Sequence, residues 1–273
     1  MTQMTTRSFL QLSLTMGLVM GAASAASALF PTTPVTSCAA DGVVAGTVCL
    51  DRYEASVWRV PNPSTTNALL VRKIQQGMAT LADLTAAGAT QLGVAGDDYT
   101  PCTHNGQNCA NDIYAVSLPA VIPSAFISWF EAQEACANSG KRLPTSAEWQ
   151  VGANGTPDPG SDDQATDCNT KSDVGTSLTG SRARCVSARG AFDMVGNLQE
   201  LVADWVPAPT FCPGWASFSN DQMCLAGAAT DRNFPGALVR GGWFESGPGA
   251  GPLAVTAFPP FRASIFTGFR CAR

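Results

Sequence analysis

The chain has 273 residues, 45% of them hydrophobic and 14% charged, and a formal net charge of −5. That length and composition fit one large folded domain or two small ones and exclude a disordered tail. The negative balance, with no Lys/Arg cluster, excludes a phosphate-tracking groove, so nucleic acid is not an expected partner.

Residues 1–28 read as an export signal. Arg7 precedes an apolar run over 9–21, and small residues follow, ending at Ala25 and Ala28. The run is shorter than the roughly 20 residues that span a bilayer, so cleavage is expected rather than anchoring. No other segment reads as membrane-spanning, and the product is expected to be secreted, periplasmic or surface-displayed. Val35-Thr36-Ser37-Cys38 loosely resembles a lipid-attachment box, but Pro31 and Pro34 separate it from the apolar run, which disfavours lipidation at Cys38.

After the signal come ten cysteines. An even number in an exported chain points to disulfides. A zinc site is the competing reading, but no pair has CxxC spacing and His104 is the only histidine. His104 lies in a polar loop between two cysteines and reads as a solvated residue. Spacing alone does not fix connectivity. Local closure suggests Cys38 with Cys49, Cys102 with Cys109, Cys168 with Cys185 and Cys212 with Cys224, which leaves Cys136 and Cys271.

Residues 29–41 form a Pro/Thr/Ser/Ala-rich lead expected to be extended and loosely held. From 43 to 58 the chain is β-branched and aromatic without helical period, which predicts strands with a turn near Gly46. Leu70, Ile74, Met78, Leu81 and Leu84 recur at helix-like spacing, predicting one or two helices broken at Gly77. Ser128-Trp129-Phe130-Glu131 fits a capping box, and Gly140 supplies a left-handed stop, so 129–139 should be helical. Thr145-Ser146-Ala147-Glu148 repeats the box and predicts a short helix near 146–153. Residues 154–182, rich in Gly, Asp, Ser, Thr and Pro, read as a surface insertion pinned by Cys168 and Cys185. The acidic clusters Asp97-Asp98 and Asp158 to Asp163 lack EF-hand alternation and read as solvated turns. Beyond Phe192 short apolar pieces alternate with Gly and Pro, as in a loop-heavy β region.

Several motifs fall in order along this pattern: Asp51-Arg52-Tyr53-Glu54, Gly140-Lys141-Arg142-Leu143-Pro144-Thr145-Ser146-Ala147-Glu148-Trp149, Phe192-Asp193-Met194-Val195-Gly196-Asn197-Leu198-Gln199-Glu200, Val239-Arg240-Gly241-Gly242 and Gly268-Phe269-Arg270. Together they resemble the signatures of the formylglycine-generating-enzyme, or sulfatase-modifying-factor, family over about residues 48–273. The resemblance implies an α+β, C-type-lectin-like fold with small antiparallel sheets, a few helices and much irregular loop, here a single domain over 42–273. It also implies a bond between Cys136 and Cys271. The enzymes of the family need a cysteine pair soon after the RGG motif to bind copper. Trp243 to Leu253 contains no cysteine, and one histidine cannot supply the ligand set of iron-dependent relatives, so oxidase activity is not expected.

What stands in that segment resembles the variable region of diversity-generating-retroelement proteins, in which a glycine-rich framework holds interchangeable side chains. Over about residues 240–270 the resemblance implies a ligand-binding set of Trp243, Glu245, Ser246, Thr256, Phe258, Phe261, Arg262, Ser264, Ile265 and Phe266. Independently, Trp243, Phe244, Phe258, Phe261, Phe266 and Phe269 crowd aromatics into one short stretch, and aromatics with arginine supply binding hot spots. Phe244 and Phe269 read as framework core. The expectation is a non-enzymatic display protein for a protein or cell-surface ligand; the alternatives are a formylglycine-generating-type oxidase and a constant carbohydrate-binding module. No cofactor is expected, apart from a calcium ion that the resemblance would place on Asn197 and Glu200. Against it, Leu201 replaces the usual Trp, and a turn bonded to backbone accounts for both residues.

Overall fold

The computed structural model describes residues 37–109, 112–172, 175–207, 217, 219–224 and 235–273. The export signal, most of the lead and Cys212 lie outside them. Among the described residues no helix is long and apolar enough to cross a membrane.

The chain opens with a hairpin of β1 (Gly42–Ala45) and β2 (Val48–Asp51), turning at Gly46 with φ +67°. β3 (Ala55–Arg59) is the middle strand of an antiparallel sheet, between β4 (Thr90–Leu92) and β5 (Ile113–Ser117). The expected helical stretch divides into α1 (Ala68–Gln75) and α2 (Leu81–Ala86) around Gly77, and a Thr80/Asp83 capping box starts the second. α3 (Trp129–Asn138) and α4 (Ser146–Ala153) begin at the two boxes read from sequence, each with both reciprocal hydrogen bonds formed. Gly140, φ +67°, lies just beyond α3. A four-stranded sheet follows in the order β8 (Val255–Phe258), β7 (Gly236–Arg240), β6 (Gln199–Val206), β9 (Thr267–Phe269). Its β6–β9 pair is parallel, a departure from the all-antiparallel expectation.

Both faces of this sheet are covered. Leu201, Val239, Ala237 and Phe269 pack with Ala132, Ala135 and Cys136 of α3 and with Ala55, Val57, Ile113 and Ala115 of the three-stranded sheet. Val202, Leu238 and Ala257, pointing the other way, pack with Trp149 and Ala153 of α4 and with the hairpin. α1 and α2 contribute Leu70, Ile74 and Leu84 to a third cluster with Trp58, Tyr114 and Val116. The fold is therefore α+β, with small sheets, four helices and long irregular connections, of the C-type-lectin-like type.

Four disulfides join described cysteines: Cys38–Cys49, Cys102–Cys109, Cys136–Cys271 and Cys168–Cys185. Cys224 is also disulfide-bonded. Two expectations are corrected. The end of the lead is held, because buried Asp41 pairs with Lys141 at 2.8 Å and Arg273 at 3.0 Å. The 154–182 insertion is no plain surface loop: Cys168, Asn169, Thr170, Thr179 and Arg182 are buried. Within it Asp162, its side chain fully buried, bonds Arg182 at 3.2 Å. Asp97 and Asp98 are exposed as expected; Asp98 accepts from Gly93 N at 2.7 Å and Asp97 pairs with His104 at 2.6 Å.

The family motifs converge on one buried polar network. Arg270, 0% exposed, donates to Glu200 through Nε at 2.7 Å and Nη2 at 2.6 Å, and to the carbonyls of Asp51 and Phe192. Trp149 Nε1 donates to Glu200 at 2.7 Å. Lys141 bonds Asp51 at 2.6 Å, while Asp51 accepts from Cys271 N. Glu54 accepts from Leu198 N and from the Asn197 amide. Burial, together with the Asp193 and Glu200 carboxylates, pushes the Glu54 carboxyl well above its usual range.

Arg270→Met is expected to cost about 3–5 kcal/mol in urea unfolding, because it leaves Glu200 charged and buried without its cation, whereas Arg270→Met with Glu200→Leu should recover much of that loss. Burial also raises the Asp193 carboxyl to about 7. An acid whose pKa is higher folded than unfolded weakens the fold as pH rises from its unfolded value near 4 to its folded value. Asp193→Asn should therefore gain stability relative to the parent between pH 4 and 7, read from urea midpoints at several pH values.

Candidate functional site

The C-terminal region is built by alternation between anchored backbone and outward side chains. β7 ends at Arg240, which is buried with its guanidinium 4.8 Å from the Trp149 ring centroid and bonded to Gln150 and the Pro252 carbonyl. Gly241 and Gly242 follow at φ +86° and +77°. A Cβ on Gly241 would lie 2.9 Å from Met194 O, and one on Gly242 would lie 2.7 Å from Ala250 Cα, so both backbone angle and space demand glycine. Phe244 N donates to Asn197 O and Phe244 O accepts from Ser172 N, which seats the Phe244 ring inside. Leu253 N donates to Asp221, and Gly251 N donates to Gly241 O. After β8, Pro260 O accepts from Trp129 N and Ser264 O accepts from Phe126 N, tying the 259–265 turn to the start of α3.

On this backbone none of the ten nominated side chains is buried. Glu245, Phe261, Arg262 and Ile265 are exposed; Trp243, Ser246, Thr256, Phe258, Ser264 and Phe266 are intermediate. The framework between them is buried: Gly241, Gly242, Phe244, Ala250, Gly251, Ala254, Val255, Ala257, Pro260 and the run from Thr267 to Ala272. The structure gathers several of the ten. The Trp243 and Phe266 rings lie 5.6 Å apart, and Arg262 stacks 4.5 Å from the Phe258 centroid. Trp243 and Thr256 line a small recess with Gln199 and Gln222. Ser246 and Ser264 have a more local role, their hydroxyls accepting from Trp243 N and Phe266 N.

Residues not nominated from sequence adjoin the set. Trp205, 40% exposed, is opposite Ala237 in β7, and Ala237 is opposite Phe258 in β8, so Trp205 and Phe258 flank a small residue on one sheet face. Trp129 and Phe130 pack edge-on against Trp205 at 5.1 and 5.8 Å. Its period-2 alignment with Leu201 and Ala203 is a sequence signal, but the partner strands that place it beside Phe258 come from distant segments.

The residues present do not fit the family's metals. The Cu(I) site requires thiolates, whereas Trp243 to Leu253 has no cysteine and no described cysteine is free. For calcium, Glu200 spends both oxygens on Arg270 and Trp149, and Asn197 Oδ1 accepts from Asn169 and Ser177 N. A cation at Glu200 would sit against a buried guanidinium.

The model of the sulfatase-modifying factor enzyme 1-like domain matches residues 90–273. The chain belongs to that family. Among solved structures it is similar to the Major Tropism Determinant M1 variant, at 18% identity and a TM-score of 0.38 over 63% of this chain and 47% of that one. It is also similar to Treponema denticola variable protein 1, at 17% identity and a TM-score of 0.33 over 55% and 70% of the two chains. PvdO from Pseudomonas aeruginosa gives 18% identity and a TM-score of 0.41 over 83% and 80%. The chain thus spans under half the length of the tropism-determinant chain that it matches. No curated protein matches it in sequence.

Replacing Glu245, Phe261, Arg262 and Ile265 together by Ala should move the thermal midpoint by no more than about 2–3 °C, as expected of exposed positions. Phe244→Ala or Phe269→Ala should each cost about 3–5 kcal/mol, since both rings are buried.

Proposed function

We propose that this protein is a non-enzymatic binding scaffold that presents the side chains of its C-terminal region, about residues 240–270, to a protein or cell-surface ligand outside the cytoplasm. The observation that carries this reading is the division of labour just described: backbone and framework residues are buried and hydrogen-bonded, while ten chemically unrelated side chains between them reach solvent. Such a surface can change specificity without changing the fold most readily at its exposed positions, Glu245, Phe261, Arg262 and Ile265, while Phe258 also packs against the core. Its chemistry suits binding: Trp243, Phe258, Phe261, Phe266 and Arg262 are of the types that dominate interface energetics, and Trp205 extends the same apolar tract. A standard interface buries about 800 Å² per partner, which a surface of roughly ten side chains can largely supply. The resemblance of the framework to diversity-generating-retroelement proteins supports diversification of these positions, and the described disulfides support an oxidising location.

A library randomised at the ten positions, selected against an arbitrary soluble target such as lysozyme, should yield folded, disulfide-intact binders of micromolar affinity or better. A pool that mostly fails to fold would refute the scaffold reading. Copper-dependent oxidation of a cysteine in a sulfatase-motif peptide by the parent protein would refute the non-enzymatic one. Flanking DNA is expected to carry a reverse-transcriptase gene and a near-copy of codons 240–270 with adenines at the mismatched positions; without them the surface is a constant one.

A further inference from the structure

A second cluster, of residues outside the C-terminal set, lies between the Cys102–Cys109 loop and the start of α3. Asp97, His104 and Glu131 each bring one donor atom into a cluster in which all three atoms lie within 4.8 Å of one another. Asp97 Oδ2 and His104 Nε2 are 2.6 Å apart. Glu131 forms the floor. It is 0% exposed, and its Oε2 accepts from Ser128 N at 2.8 Å as half of the capping box, while its Oε1 is buried with no hydrogen-bond partner. A buried carboxylate oxygen without a donor is costly, and here a neighbouring imidazole and a second carboxylate converge on the same residue.

We propose that Asp97, His104 and Glu131 bind a divalent cation of the imidazole-accepting class, zinc in the first instance. The donor set is one nitrogen and two oxygens, which suits a borderline ion better than calcium or magnesium, whose preference is for oxygen alone. Zinc bonds of about 2.0–2.2 Å require donors roughly 3–3.5 Å apart, a spacing that the present cluster brackets. Asp97 is exposed and His104 is 42% exposed, so the ion can enter from solvent and a water can complete the shell above the buried glutamate. Bound there, the ion ties the loop carrying Asp97 and His104 to the helix start whose Trp129 and neighbouring Phe126 hold the 259–265 turn. The proposal does not depend on what the C-terminal surface binds.

The chain has one histidine and no free cysteine among its described residues, which makes the test clean. Untagged, oxidised protein is stripped with EDTA, dialysed and titrated with zinc chloride by calorimetry, then with cobalt(II) by visible absorption. One equivalent of zinc is expected to bind, with a rise in thermal midpoint and a cobalt d–d band. His104→Gln and Asp97→Asn should each weaken zinc binding at least tenfold and abolish the cobalt band, with unfolding in EDTA unchanged. Glu131→Gln keeps a capping-box residue and should weaken binding equally. No zinc binding by the parent, equal affinity in His104→Gln, or calcium bound as tightly as zinc would each overturn the assignment.

Discussion

The structure depends on the ion pair between Arg270 and Glu200. Both groups are buried, and their two parallel hydrogen bonds join β6 to the segment after the edge strand β9. Isolated charges in that position would cost several kcal/mol each, so the remaining polar atoms around them must be satisfied. Trp149 from α4 completes Glu200, the carbonyls of Asp51 and Phe192 complete Arg270, and Asp51 in turn fixes Cys271 N and Lys141. The partners come from four motifs spread along the chain, those of Asp51, of Lys141 and Trp149, of Phe192 and Glu200, and of Arg270. The family motifs thus meet in the core, where they fix Arg270 and Cys271 to Asp51 and Phe192.

That anchoring explains how the C-terminal region can carry an unrelated set of side chains. Its ends are fixed at Arg240, stacked on Trp149, and at Arg270, next to the Cys136–Cys271 bond. Between them Gly241, Gly242, Phe244 and the backbone contacts to Asn197, Trp129 and Phe126 determine the path. Glu245, Phe261 and Ile265 lie along that path with their side chains in solvent. Confined rotamers at Trp243 and Phe266, in ring contact, lower the entropy that binding would cost.

Local signals were legible where the chemistry is local. Both S/T-x-x-E boxes start helices, Gly46 turns the hairpin and Gly77 separates α1 from α2, since a cap or a positive φ is decided within a few residues. The 154–182 segment was misjudged because its polar composition is that of a surface loop. Asn169 is nevertheless drawn inward by Asn197, outside the segment, and Asp162 by Arg182 at the segment's own end, pairings that composition does not reveal. His104 is in a loop with 42% of its side chain exposed, as its polar surroundings suggest, whereas its approach to Glu131, 27 residues further on, arises only on folding.

The amino-acid sequence by itself determined the helix starts, the turn glycines, the absence of cysteine from Trp243 to Leu253 and the alternation of small residues with chemically mixed ones near the end. Only the tertiary structure decided which charges are buried together, which strands flank Phe258 with Trp205, and that Glu200 and Asn197 bond Arg270, Trp149 and Asn169. The first group follows from backbone angles and short-range hydrogen bonds. The second depends on desolvation and on pairing between segments as far apart as Asp51 and Arg270, and such energies exist only once the chain has closed on itself.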